Sequence, residues 1–142
     1  MTVEQISVFV ENKSGQLGEI TRVLAEAGVN IRALSLADTA DFGVLRFMAD
    51  DTEKAKKVLS TAGLTVGSTP VVAVDVADKP GGLGTVLNIL SEYGINVEYL
   101  YAYTQRDSTR ATFIFRFDRT EDAVRILDAH GIQVLSQKDI AG

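Results

Sequence analysis

The residue types able to do chemistry in this chain are few, and they are concentrated in two turns. The chain has no cysteine and one histidine, His130. Disulfides, zinc–thiolate sites and cysteine nucleophiles are therefore excluded, and histidine-based catalysis or metal ligation has almost nothing to work with. Two glycine-rich stretches remain, Asn12-Lys13-Ser14-Gly15-Gln16-Leu17-Gly18 and Asp78-Lys79-Pro80-Gly81-Gly82-Leu83-Gly84. Glycine lets a ligand come close to the backbone. The first N–H groups of a helix that follows such a turn lack intrahelical partners and sit at the positive end of its dipole. That arrangement receives an anion such as a carboxylate or phosphate. Neither stretch is a P-loop or a Gly-x-Gly-x-x-Gly fingerprint, so nucleotide binding is the weaker reading. The same glycines also serve simply to make a tight turn, with Leu17 and Leu83 pointing inward, and spacing alone leaves both readings open.

These turns are held in a repeat. The offset of 66 that relates them also carries Leu24 to Leu90, Gly28 to Gly94, Asn30 to Asn96 and Leu34 to Leu100. Further on the offset is 68, taking Thr52-Glu53 to Thr120-Glu121, Leu59 to Leu127 and Gly63 to Gly131. Two residues have thus been inserted in the second copy between the positions of Asp38 and Phe47. A long period that occurs twice is a duplicated domain rather than a solenoid. The halves divide near Ser68-Thr69-Pro70, giving domains 1–69 and 70–142.

Each copy changes hydrophobic period in the same order. Ile6, Val8 and Val10 alternate, as do Val72, Val74 and Val76, which predicts a half-buried opening strand. Leu17, Ile20, Val23 and Leu24 have helical spacing, as do Leu83, Val86, Leu87 and Leu90, and both helices stop at a glycine. Alternating runs follow at 29–37 and 43–49, and again at 95–104 and 111–117, with the insertion at the turn between them. A second helix and a short closing strand complete each copy. The fold class is α+β: two tandem ferredoxin-like βαββαβ units, each an antiparallel sheet with helices on one face. A unit of roughly 70 residues is marginal alone, so the two are expected to pair and the chain to form a homodimer.

Gly15-x-Leu17-Gly18 with Gly28-Val29-Asn30-Ile31, and Pro80-Gly81-Gly82-Leu83-Gly84 with Gly94-Ile95-Asn96-Val97, resemble the ACT domain signature. The spacing between the two elements is the same in both copies, and the resemblance covers nearly the whole chain with no catalytic domain attached. It implies a regulatory protein that binds a small effector, usually an amino acid, where one unit's first strand–helix loop holds the ligand against strands of its neighbour. The loop positions that match are Asn12, Ser14, Gly15, Gln16, Leu17 and Gly18 in the first copy. In the second they are Asp78, Pro80, Gly81, Gly82, Leu83 and Gly84. Backbone N–H groups of 15–18 or 81–84 suit the ligand carboxylate, and Asn12 or Asp78 can accept from its ammonium. Ser14 and Gln16 face Pro80 and Gly82 across the repeat, so the two loops are not equivalent. The alternative in the same functional class is a dissociable regulatory subunit of an amino-acid biosynthetic enzyme, as the ACT proteins of acetolactate synthase are, with that regulated enzyme as its partner. A purely structural protein–protein module is the reading from another class.

Other residues carry competing readings. Tyr99, Tyr101 and Tyr103 alternate in the second copy, matched with Ile31, Ala33 and Ser35 of the first. Tyr101 and Tyr103 are candidates for an aromatic wall around an aromatic or histidine-like ligand, whereas Tyr99 reads as packing. Asp38 can meet a ligand ammonium or simply start a turn. Phe113, Phe115 and Phe117 after Arg110 have the spacing of an RNA-recognition platform. Their counterparts Leu45, Phe47 and Ala49 suggest a helix-facing core instead, and Val72–Val76 offers no stacking aromatic. A net charge of −5 also lacks the electrostatic footprint of nucleic acid or anionic membrane binding. His130 before Gly131 reads as a helix C-terminal partner. An acylphosphatase-like enzyme would need an arginine in its phosphate loop, and neither turn has one. No cofactor or metal is expected, nor an enzyme. With 46% hydrophobic and 23% charged residues the chain is globular. No apolar run approaches the roughly 20 residues of a membrane span, the N-terminus lacks signal-peptide character, and a cytoplasmic location is expected.

Overall fold

The computed structural model describes residues 1–11, 13–38, 42–104 and 108–141, and of Asp38 the backbone only. The elements run β1 (Val3–Glu11), α1 (Gln16–Glu26), β2 (Ile31–Asp38), β3 (Phe42–Ala49), α2 (Thr52–Thr61) and β4 (Val66–Ala77). The second repeat continues with α3 (Gly82–Glu92), β5 (Val97–Thr104), β6 (Arg110–Phe117), α4 (Thr120–Ala129), β7 (Val134–Leu135) and α5 (Gln137–Ala141). They form two compact units. One holds Glu4–Thr69 and the residues from Ile140 on, the other Met1–Val3 and Pro70–Asp139.

In the first unit β1 pairs antiparallel with β3, and β3 with β2, with Ile6 opposite Phe47 and Leu36 opposite Leu45. Thr65 O accepts from Phe9 N–H at 3.1 Å as the chain returns beside β1. In the second unit β4 pairs with β6, β6 with β5, and β7 adds to β4, again all antiparallel. The alternation read from sequence sorts each sheet into two faces. Ile6, Val8, Leu45 and Phe47 meet Ile20 and Leu24 of α1 and Leu59 of α2. Val72, Val74 and Phe115 meet Leu90 of α3 and Leu127 of α4. Helices on one face of an antiparallel sheet, twice, is the expected α+β plan.

Two features position the outer strands. Asn30 N–H donates to Asp50 Oδ1 at 2.9 Å while Asp50 N–H returns a bond to Asn30 O at 3.1 Å. Asn96 and Asp118 repeat this clasp at 3.0 and 3.1 Å. Each middle strand also carries a bulge, between Ile31 and Ala33 and between Val97 and Tyr99. Because Tyr99 pairs with Arg116 as Ala33 pairs with Met48, the tyrosines correspond to Ala33, Ser35 and Ala37. The match to Ile31, Ala33 and Ser35 is therefore corrected by two positions.

Three other expectations change. The closing strand of the first repeat does not stop: it runs through Ser68-Thr69-Pro70 into the opening strand of the second as the single 12-residue β4. Leu17 does not point inward but is 41% exposed, whereas Leu83 packs against the second core. The C-terminal helix α5 is an addition to the expected plan. It begins with a capping box in which Ser136 N–H and Oγ–H donate to Asp139 Oδ2 at 2.8 and 2.9 Å, and Asp139 N–H donates to Ser136 Oγ at 3.3 Å. The Ser136 amide and then its hydroxyl hold the Asp139 carboxyl below its ordinary value, against a smaller opposing effect of burial. A depressed carboxylate contributes stability above its unfolded pKa of about 3.9 and loses it as pH falls through the folded value. The Ser136 amide resonance is therefore expected to titrate with a midpoint below about 3.9. A midpoint at or above that value would rule the box out.

Candidate functional site

Both strand–helix turns reach their helix through a glycine in the left-handed region. Gly15 has φ 90° and ψ −10°, and Gly81 has φ 85° and ψ −8°. Side chains other than glycine are strained there. Neither N-cap glycine supplies a side-chain cap, and among the described residues no side chain satisfies the leading N–H groups.

The two turns are braced differently. In the first, Gln16 Oε1 accepts from Glu11 N–H, Lys13 N–H donates to Glu11 O at 2.8 Å, and Lys13 Nζ pairs with Glu11 at 3.1 Å. In the second, Lys79 N–H donates to Ala77 O and Gly82 N–H to Lys79 O, both at 3.0 Å. The Gly82 amide is thus already engaged, which removes it from the donors expected for a ligand carboxylate. A Cβ on Gly82 would lie 2.0 Å from Ala77 O, so the second turn closes only over glycine.

Hollows lie beside both turns. In the first unit a hollow of about 110 Å³ brings Gln16 and Leu17 together with Lys13, Leu36 and Gly43. A larger cleft of about 420 Å³ is lined by Phe9, Gln16, Phe42 and Leu64, with the two phenyl rings 6.4 Å apart. In the second unit a cleft of about 400 Å³ holds Lys79, Gly82, Thr85, Asp75, Arg110 and Gln133. Gly82 and Lys79 thereby share a cavity with a charged pair that the sequence reading did not single out, Arg110 Nε donating to Asp75 Oδ2 at 3.1 Å.

The other expected site residues disperse. Asn12 lies outside the described residues, and so does the Asp38 side chain, whose backbone ends β2 opposite Gly43. Of the tyrosines, Tyr101 is 9% exposed and Tyr99 half-buried, while Tyr103 alone lines a described hollow, with Asp75, Ser108, Arg110 and Thr112. Phe115 and Phe117 are buried in the helix-side core with ring centroids 5.1 Å apart, out of reach of a base. His130 Nδ1 lies 2.8 Å from Ile126 O at the end of α4, as expected of a C-terminal partner. Among the described residues no group of three or more His, Cys, Asp or Glu could hold a metal ion. No described helix is long and apolar enough to cross a membrane.

Two antiparallel βαββαβ units, each entering its first helix through a left-handed glycine beside a cavity, define a duplicated ferredoxin-like protein. The chain belongs to the ACT family: the family model of an ACT domain pair matches residues 1–142. A solved protein of Bacteroides thetaiotaomicron is 35% identical, with 99% of this chain and 96% of that one covered and a TM-score of 0.94. The regulatory subunit of aspartate kinase from Thermus thermophilus, in its ligand-free form, shares the fold at 17% identity and a TM-score of 0.66, over 89% of this chain and 91% of that one. The corresponding Thermus flavus subunit has a TM-score of 0.60 at 17% identity, over 89% and 90%. No curated protein matches the chain.

Proposed function

We propose that this protein is a non-catalytic cytoplasmic regulator that binds a free amino acid at its glycine turns. The observation that carries the reading is the uncapped helix start behind Gly15 and Gly81, repeated in both units beside a cavity. The ligand carboxylate meets the leading amides, Leu17, Leu83 and Gly84 among them, and its ammonium meets Asn12 or Asp78. Ser14, Gly18 and Pro80 shape the turns around it. Tyr103 is the aromatic candidate for meeting the ligand's side chain, and Asp38 remains a candidate for the ammonium. A second copy completes the site. Leu17 and Leu36 line the first hollow at 41% and 47% exposure, Leu34 is 55% exposed on the same strand as Leu36, and β2 ends its sheet with an unpaired edge. A ligand held between two units favours one mutual orientation, and that preference becomes the signal. An amino-acid biosynthetic enzyme that associates reversibly with this chain is the reader.

Thermal-shift screening of the twenty amino acids tests this. A ligand at a hundred times its dissociation constant stabilises the folded form by about 2.7 kcal/mol. A flat response to all twenty would overturn the sensor reading and favour a structural module. Gly15→Val and Gly81→Val assign the loop: binding is expected to fall at least tenfold in one of them, and binding unchanged in both would move the site elsewhere.

A further inference from the structure

The duplication supplies an internal comparison, because each position in one unit has a counterpart in the other. On the helix-free face of the second unit Asp75, Tyr103, Ser108, Arg110 and Thr112 line a hollow of about 160 Å³. The offsets of 66 and 68 place Phe9, Ala37, Ala40, Phe42 and Val44 at these five positions in the first repeat. Every polar residue thus stands where the other copy is apolar. The fold does not require polarity there, since the first unit builds the same sheet with Phe9 beside Phe42.

The polar groups are arranged around one ion pair. Arg110 Nε and Nη2 both reach Asp75 Oδ2 at 3.1 Å, and Nη2 also reaches Asp75 O at 3.3 Å. Ser108 Oγ accepts from Arg110 N–H at 3.0 Å, which leaves its own hydroxyl proton available. Among the described residues, Arg110 Nη1 and Asp75 Oδ1 have no partner. Among the described residues the pair therefore leaves a cationic donor next to an anionic acceptor, with hydroxyls of Tyr103, Ser108 and Thr112 around them. A net anion would meet the Asp75 carboxylate, and a net cation the guanidinium. A zwitterion satisfies both. The hollow is smaller than the roughly 300–1,000 Å³ of usual ligand pockets, which limits the ligand to a few heavy atoms.

We infer that the Asp75–Arg110 hollow is a further ligand site, sharing its ion pair with the cleft that holds Gly82 but lined by Tyr103, Ser108 and Thr112 in place of the glycine turn, and that it takes the zwitterion of a small α-amino acid. The carboxylate binds Arg110 Nη1 and the hydroxyls, and the ammonium binds Asp75 Oδ1.

The test is an amide-resolved NMR titration of the full chain with glycine, L-alanine and L-serine, with acetate and methylammonium as half-ligands. Saturable shifts are expected at the amides of Asp75, Arg110 and Thr112, and each half-ligand should bind at least tenfold more weakly than glycine. The variant Asp75→Phe/Arg110→Phe, which installs the first repeat's pair, is expected to keep its melting temperature and lose at least tenfold in affinity. Thr112→Val, which copies Val44 of the first repeat, should lose about threefold and serves if the double variant fails to fold. Absence of saturable shifts with all three amino acids overturns the site, as does unchanged affinity in these variants. Acetate binding as tightly as glycine overturns the zwitterion assignment. Shifts confined to residues 15–18 and abolished by Gly15→Val, or confined to 81–84 and abolished by Gly81→Val, would leave the glycine-turn reading standing and remove this one. Loss of the larger amino acids' thermal shifts, with these amides still responding to glycine, would do the reverse.

Discussion

Gly82→Ala is expected to lower stability by about 1–3 kcal/mol, the range for forcing an atom into filled space. The new Cβ would stand 2.0 Å from Ala77 O, a backbone atom at the end of β4 that cannot turn aside as a side chain would. Relief requires moving the Ala77 carbonyl, which accepts from Lys79 N–H at 3.0 Å, or the Gly82 amide, which donates to Lys79 O at 3.0 Å. Either movement opens the turn that presents Gly81 and Leu83. For a unit of this size the loss lowers the midpoint of thermal unfolding by about 4–24 °C. Gln16, the equivalent residue in the first repeat, already carries a side chain, and its Oε1 accepts from Glu11 N–H. Gln16→Ala is expected to cost only about 1 kcal/mol, the value of one exposed backbone hydrogen bond. Calorimetry of both variants decides the matter: equal, small shifts would show that the second turn tolerates a Cβ and that its closure is not the constraint.

Phe115→Ala carries a similar or greater loss, about 3–5 kcal/mol, as for other buried phenylalanines. Its ring is fully buried between Phe113, at 6.1 Å, and Phe117, at 5.1 Å. Total stabilities of domains are about 5–15 kcal/mol, so this substitution removes a large fraction and shows directly in urea unfolding. Phe113→Ala should cost less, because Phe113 is only half-buried. The pair of measurements also weighs the stacking-platform reading of these aromatics. If Phe115→Ala left stability within about 1 kcal/mol of the parent, the ring would not be a core residue.

The core was legible because period-two and helical patterns survive burial on one face. Ile6, Val8 and Val10 alternate against Leu45 and Phe47, and their repeats do the same. The helix ends were legible because left-handed glycines stand at Gly28 and Gly94, with φ 74° and 71°. The bulges were not legible. A bulge adds one residue to a strand whose alternation looks regular on either side, but it stands at the same place in both repeats, and the offset of 66 that carries Leu34 to Leu100 already sets Tyr99 at Ala33. Leu17 misleads because a leucine in a helical pattern reads as core, whereas its first-turn position leaves it at the rim of a hollow. The continuity of β4 is hidden by Pro70, which reads as a break although its carbonyl accepts from Arg116 Nη1 at 3.1 Å within the strand. Asp50 and Asp118 had a readable signal in their shared offset of 68, as did the exchange of Phe9 and Phe42 for Asp75 and Arg110. Both are visible only when the repeats are compared for differences and side-chain chemistry as well as for matching glycines.

The folded units and the sequence repeats have different membership, and this bears on how the protein can be taken apart. Met1–Val3 group with the second unit and the residues from Ile140 with the first, where Val3 is 2% exposed and Ile140 fully buried. A gene cut between Thr69 and Pro70 would also sever β4 within its hydrogen-bonded length. Each half would then carry a tail that belongs to the other and lack the one it needs. Fragments made this way should recover their fold together rather than apart, which makes split-protein complementation a more suitable route to the separate repeats than expressing each alone.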